Sequence, residues 1–201
     1  MKNIIKSLAL AAVVLVSGAS FTACKKGEND PGISLASRKG RLVGEWKVTA
    51  GVVKSSSGGV TQTETYTETG KTTTYSSGGS LTATWSQTLT IEKDGTFLMT
   101  ESETPQGGNT TTSTIKGRWM FAGKNKDAEL KNKEAIVITW TERVVTSGGS
   151  TTTSTYTNDI DGEIWTIDQL KGDEMIVKYL TTATSGGSTD SYDVNITYTS
   201  K

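Results

Sequence analysis

The chain has 201 residues, with 21 basic and 21 acidic side chains, one cysteine and no histidine. There is no basic excess to neutralise phosphates, so nucleic acid is not an expected partner. The missing histidine removes the Ser–His and Cys–His nucleophilic pairs, most catalytic zinc sites and the commonest near-neutral general base, so no enzyme, metal site or cofactor is expected.

At the amino end, Lys2 and Lys6 precede an apolar run over residues 8–16, and residues 20–25 read Ser-Phe-Thr-Ala-Cys-Lys. Positive, then apolar, then small is the layout of a cleaved export signal. The run is too short for a helix across a bilayer core of ~30 Å. The residues around Cys24 resemble the lipobox of bacterial lipoproteins. That resemblance implies a signal peptide over 1–23, cleavage before Cys24 and acylation of Cys24, so a membrane is an expected partner. Lipid contributes ~0.8 kcal/mol per buried methylene, and several acyl chains hold firmly. Lys25, in place of Asp, follows the cysteine, and by the same resemblance this favours the outer membrane of a Gram-negative envelope. With Cys24 acylated no disulfide can form. Residues 24–40 are polar, carry both charges and include Pro31, as a flexible tether would. A single domain over 41–201 is long enough to bury its own core.

From Leu42 onward the apolar period is two, the period of a strand rather than a helix. Leu42, Gly44, Trp46, Val48, Ala50 and Val52 share one face of a first strand. Further on, Leu81, Ala83, Trp85, Leu89 and Ile91 alternate with Thr and Ser, and Ile115, Gly117, Trp119 and Phe121 alternate with Lys116, Arg118 and Met120. Tyr192, Val194, Ile196 and Tyr198 form the last such face. A sheet with one packed and one wet face produces this pattern. The abundant threonine suits it, because Thr is β-branched and tolerates water.

Gly-Gly pairs at 58–59, 78–79, 107–108, 148–149 and 186–187 alternate with a second set of turns at Gly70, Asp94-Gly95, the 123–134 connection and Gly172. Glycine supplies the positive φ that tight hairpin loops need. If every signal reverses the chain, the Gly-Gly tips share one end of the sheet. Asp161-Gly162 then has to be a bulge or kink inside one long strand from 150 to 170. The expected fold is all-β, an up-and-down antiparallel barrel of eight to ten strands, since closure removes an aggregation-prone edge. The alternative is an open β-sandwich. Large apolar residues gather at the end away from the Gly-Gly tips, so that end should be dry and the other polar.

Three stretches carry a second resemblance: Arg41-Leu-Val-Gly-Glu-Trp-Lys-Val, Gly117-Arg118-Trp119, and the segment from Trp165 to Tyr179. They are similar to the Gly-X-Trp opening and the later strands of lipocalin-like domains in bacterial lipoproteins. The resemblance implies an up-and-down barrel with Trp46 plugging its closed end, and binding of a small hydrophobic ligand. The short amino-terminal helix of that family is not discernible in the sequence.

Trp46, Trp85, Trp119 and Trp140 can all face inward. Trp46 and Trp119 read as barrel-closing core; Trp85 and Trp140 read either as core or as the wall of a ligand pocket. Met99, Glu101 and Glu103 share the face of Phe97. Glu142 shares the face of Ile138 and Trp140. If these faces point inward, the carboxylates enter the upper barrel; if the strands splay, they are solvated. Arg118 and Arg143 have the opposite parity and should be exposed. The acidic stretch 158–163 reads as turn chemistry, not as a calcium loop. The leading expectation is an envelope lipoprotein that binds or sequesters a small apolar or amphipathic molecule. The rival is a non-catalytic module that contacts protein or glycan partners through its Thr/Ser-rich hairpins.

Overall fold

A computed structural model describes residues 29–31, 36–126, 134–156, 162–185 and 188–201. Cys24 with the expected export signal, the 186–187 turn, residues 157–161 and most of the 123–134 connection lie outside the described residues. One short helix, α1 (Arg38–Leu42), is followed by strands β1 (Gly44–Ser57), β2 (Val60–Thr67), β3 (Gly70–Tyr75), β4 (Ser80–Ile91), β5 (Thr96–Pro105) and β6 (Thr111–Phe121). The second half holds β7 (Ala135–Ser147), β8 (Ser150–Thr155), β9 (Gly162–Leu170), β10 (Glu174–Ser185) and β11 (Ser188–Ser200).

All pairings are antiparallel and the sheet closes on itself through β1–β11 and β6–β7. Both β8 and β9 pair with β7, β8 against its upper half and β9 against its lower half. They run in the same direction against one partner, so they count as one descending strand, and the result is a closed ten-strand up-and-down barrel; the expected kink at Asp161 lies outside the described residues. The described turns obey the expected parity. Gly58-Gly59 (φ 56° and 80°) and Gly148-Gly149 (φ 56° and 84°) have two consecutive left-handed residues, the two-residue hairpin geometry that glycine permits cheaply.

The barrel is not of uniform width. At the lower end Gly44–Lys47 of β1 pair directly with Ile91–Thr88 of β4, so the ring there is β1, β4, β5, β6, β7, β9, β10 and β11. Higher up, the β2–β3 hairpin wedges between β1 and β4. On another side β10 pairs with β9 only as far as Lys178↔Thr166. Among the described residues, β8 pairs with β7 alone. The lower end is therefore a tight eight-strand ring and the upper end flares.

Three register shifts re-aim the side chains. Between Val48 and Ala50 the first strand gains a residue, which turns Val53 inward (3 % exposed) and Val52 outward (38 %), against the simple alternation that put Val52 and Ala50 inside. The β6–β7 ladder passes from Lys116↔Glu142 to Gly117↔Trp140, with Thr141 as the extra residue. The β9–β10 ladder skips Asp168. Bulges at barrel bends have this effect because one inserted residue flips every later side chain.

The lower end is plugged by apolar side chains: Trp46, Leu89, Ile136, Ile138, Ile167 and Leu170 are all 1 % exposed or less. Gly117 lets the sheet close here, since a Cβ on it would meet the Thr139 carbonyl oxygen at 2.0 Å and the Phe97 ring at 2.5 Å. The helix α1, not discernible in the sequence, covers this end. Ser37 caps it by accepting from the Gly40 N–H (3.0 Å), and Leu42 is fully buried. Part of the segment read as a flexible tether is docked too. The Asp30 carboxylate is buried between Arg38 and Arg41 and accepts from the Leu170 N–H at 2.8 Å, while the Asn29 N–H donates to the Asp168 carbonyl at 3.1 Å.

Candidate functional site

The flare leaves a cavity of about 310 Å³ inside the upper barrel. That is at the small end of the ~300–1,000 Å³ found for small-molecule sites. The strands bring it their inward-facing residues in layers. Met99, Ile115 and Val177 lie next to the apolar plug, and Val53, Val194 and Ile196 face in from β1 and β11. Above them the lining changes character. Seven of the lining residues are aromatic: Trp85, Trp140 and Trp165, with Tyr66, Tyr179, Tyr192 and Tyr198. Tyr66 packs on Trp85 with ring centroids 4.5 Å apart, and Trp165, Tyr179 and Tyr192 form a chain with successive centroids 6.1 Å apart.

Two carboxylates enter among these rings. Trp85 Nε1 donates to Glu101 Oε1 at 3.0 Å, and Trp165 Nε1 donates to Glu163 Oε2 at 2.8 Å. No cationic side chain lies within 4.0 Å of either carboxylate among the described residues. Nearby, Glu103 and Glu64 share one cation, Lys71, at 2.6 and 3.6 Å, and the Tyr66 hydroxyl donates to Glu64. Burial pulls the Lys71 ammonium's pKa down, but its hydrogen bond to Glu103 and the charges of Glu64, Glu103 and Glu101 outweigh this, and the net shift is upward. The tyrosines register the same negative field. Tyr192 is pushed up to about 12, first by burial and then by Glu64, Glu163 and Glu101. Tyr198 is raised further, first by burial and then by Glu163 and Glu101, and its hydroxyl donates to Gln87 Oε1 at 3.1 Å.

Trp85, Trp140, Met99 and Glu101, singled out from the sequence, thus meet in one cavity. Glu103 also faces inward, but it is spent on Lys71. Glu142 does not reach the cavity. The extra residue Thr141 turns it to the outer face, where it pairs with Lys116 at 2.7 Å. The same bulge puts Arg143 opposite Ile115, on the inner face at the solvent-exposed rim, where its Nε donates to Ser113 Oγ at 3.3 Å. Trp46 and Trp119 are buried at the closed end as expected. Sequence reasoning missed Tyr66, Tyr179, Trp165 and Glu163 as site residues. The signal for the last two was period two: Glu163 and Trp165 flank Ile164, which is 53 % exposed. The Trp140 indole N–H is buried and has no hydrogen-bond partner among the described residues.

Comparison with protein-family models, with curated proteins and with solved structures returns no match to this chain. What defines its class is the architecture: a closed up-and-down β-barrel, plugged at one end, with an aromatic and acidic cavity at the other. That architecture is compatible with a lipocalin-like fold.

Proposed function

We propose that the protein is a membrane-anchored, lipocalin-like member of the bacterial cell envelope whose barrel binds a small amphipathic molecule without catalysis. The observation that carries this is the 310 Å³ cavity, which the barrel leaves open exactly where its lining turns from aliphatic to aromatic and polar. A protein selected only for stability would fill such a space, because an unfilled cavity forfeits about 20 cal/mol per Å² of its surface. The anchoring half of the reading rests on the lipobox around Cys24.

The test is a titration of the protein with N-phenyl-1-naphthylamine, a neutral apolar fluorophore. Trp85, Trp140 and Trp165 line the space, so the expected result is saturable quenching of tryptophan emission and a blue-shifted probe. Ile115→Trp, which fills the cavity from its wall, should abolish both. Unchanged tryptophan emission at probe saturation overturns the reading.

One observation favours the rival reading, in which the protein contacts an envelope protein or glycan. All six residues of β8 are exposed, and all are Ser or Thr. Such a surface presents hydroxyls without apolar area, which suits a wet, polar partner more than a hydrophobic one. This reading requires no occupied cavity, so the same titration separates the two.

A further inference from the structure

Resting on the cavity reading, we propose that the ligand is an organic cation: an ammonium group with an apolar body, held between Glu101 and Glu163 within the aromatic walls. The inference comes from charge bookkeeping inside a cavity built of rings. Glu101 stands on β5 and Glu163 on β9, separated around the ring by β6 and β7, yet both line the same space. Each is held by an indole N–H, which fixes its position and leaves its charge uncompensated. Counting the neighbouring cluster, four inward carboxylates (Glu64, Glu101, Glu103, Glu163) face two cations, Lys71 and Arg143. Lys71 is committed to Glu64 and Glu103, and Arg143 sits at the exposed rim bonded to Ser113. The cavity itself is therefore negative.

Uncompensated carboxylates in a partly desolvated space cost stability. A cation entering the space removes that cost, and the aromatic walls add to the attraction, since the face of an aromatic ring carries negative charge and draws a cation within about 6 Å of its centroid. An anion meets the opposite field. A neutral molecule of the same shape gains the apolar contact alone. Tyr192 and Tyr198 are displaced upward first by burial, with the charges of Glu101 and Glu163 adding to it.

Glu163, Tyr179 and Tyr192 line the cavity and at the same time an outer groove that includes Ile164, Leu180 and Thr182. One carboxylate and two rings thus stand at the junction of outside and inside.

Three probes of nearly equal shape and different charge decide the matter: benzyltrimethylammonium, neutral neopentylbenzene and anionic phenylmethanesulfonate, each titrated calorimetrically into the protein. The expected result is at least tenfold tighter binding of the cation than of the neutral probe, with no measurable binding of the sulfonate. In the double variant E101Q/E163Q, where the amide oxygens can still accept from Trp85 and Trp165, cation affinity should fall at least tenfold and affinity for the neutral probe should stay. Equal or tighter binding of the neutral probe to the wild-type protein overturns the cation inference and leaves the cavity reading standing. If none of the three binds, both fall. The wild-type comparison is decisive even if the double variant does not fold.

Discussion

The two ends of this barrel use tryptophan differently. At the closed end, Trp46 and Trp119 donate their indole N–H groups to backbone carbonyls, those of Leu42 and Glu92, each at 2.9 Å. In the flared half, Trp85 and Trp165 donate to the carboxylates Glu101 and Glu163, and Trp140 has no acceptor among the described residues. A carbonyl already fixed by helix or turn is an inexpensive acceptor, and the ring is then free to serve as packing. A carboxylate facing a cavity is an expensive one, because its charge is drawn from water. Where a barrel keeps the expensive arrangement, the physical reason lies outside stability. The lower half is organised for closure, and the proposed ligand would offset that cost in the upper half.

The largest expected effect breaks the closed end. Asp30 is the shared counter-charge of Arg38 and Arg41, whose guanidinium groups are buried and whose Nε atoms have no partner among the described residues. Burial lowers the pKa of Arg38 despite the Asp30 charge. Asp30→Asn takes their shared counter-charge from both guanidinium groups, with Glu134 still acting on Arg38, and truncating one side of such a pair costs ~3–5 kcal/mol. Urea unfolding monitored by circular dichroism should show that loss. A midpoint unchanged from wild type would mean that the 29–31 segment does not hold the plug in solution.

Gly117→Ala is expected to come next. Its new Cβ would collide with backbone at Thr139, which cannot rotate away as a side chain can. The cost should reach the top of the ~1–3 kcal/mol range for overpacking. Gly149→Ala at the flared end is the matched control. There φ is 84° and nothing lies within 4 Å, so only the left-handed penalty of ~1–2 kcal/mol applies. Equal losses from the two substitutions, read from the same urea midpoints, would erase the distinction between a tightly closed end and a roomy one.

The same contrast explains what was legible in the sequence. The barrel was, because Gly-Gly pairs and period-two alternation are local signals, and a parity of turns needs no tertiary knowledge. The closed end was also legible, since Trp46 and Trp119 sit in unbroken alternation with Gly44 and Gly117. The site was only half legible. Glu101 follows Met99 on an uninterrupted strand and landed in the cavity. Glu142 follows Trp140 by the same spacing and did not, because Thr141 bulges and nothing in Trp-Thr-Glu-Arg announces a bulge. Tyr66 escaped for another reason: it belongs to a Thr-rich hairpin whose inward face also carries Gln62, Glu64, Lys71 and Thr73, so no apolar period marks that face. The docking of Asp30 was illegible in principle, as its partners Arg38, Arg41 and Leu170 become neighbours only when the barrel closes.

The smallest effect concerns the turns of the closed end. The β4–β5 turn carries Asp94, whose Oδ1 accepts from the Thr96 hydroxyl at 2.7 Å and from the Thr96 N–H at 2.9 Å. The Thr96 hydroxyl, then the Thr96 backbone N–H, hold the Asp94 carboxyl below its ordinary value. The sign follows from linkage: a carboxyl lowered in the folded state adds stability above its unfolded pKa of ~3.9, and that addition disappears as pH falls through the lower folded value. Thr96→Val removes the stronger of the two donors and keeps the strand-compatible shape. The Asp94 pKa, followed by carboxyl NMR, should move up toward ~3.9, with little change in stability at neutral pH because the carboxylate is fully solvated. The Gly-Gly tips of the flared end, in Ser-Gly-Gly and Gln-Gly-Gly settings, contain no ionisable side chain, so no carboxyl of this kind titrates within those tips. An Asp94 pKa that stays low in Thr96→Val would assign the shift to the backbone donor instead, and with it the turn's rigidity to the main chain alone.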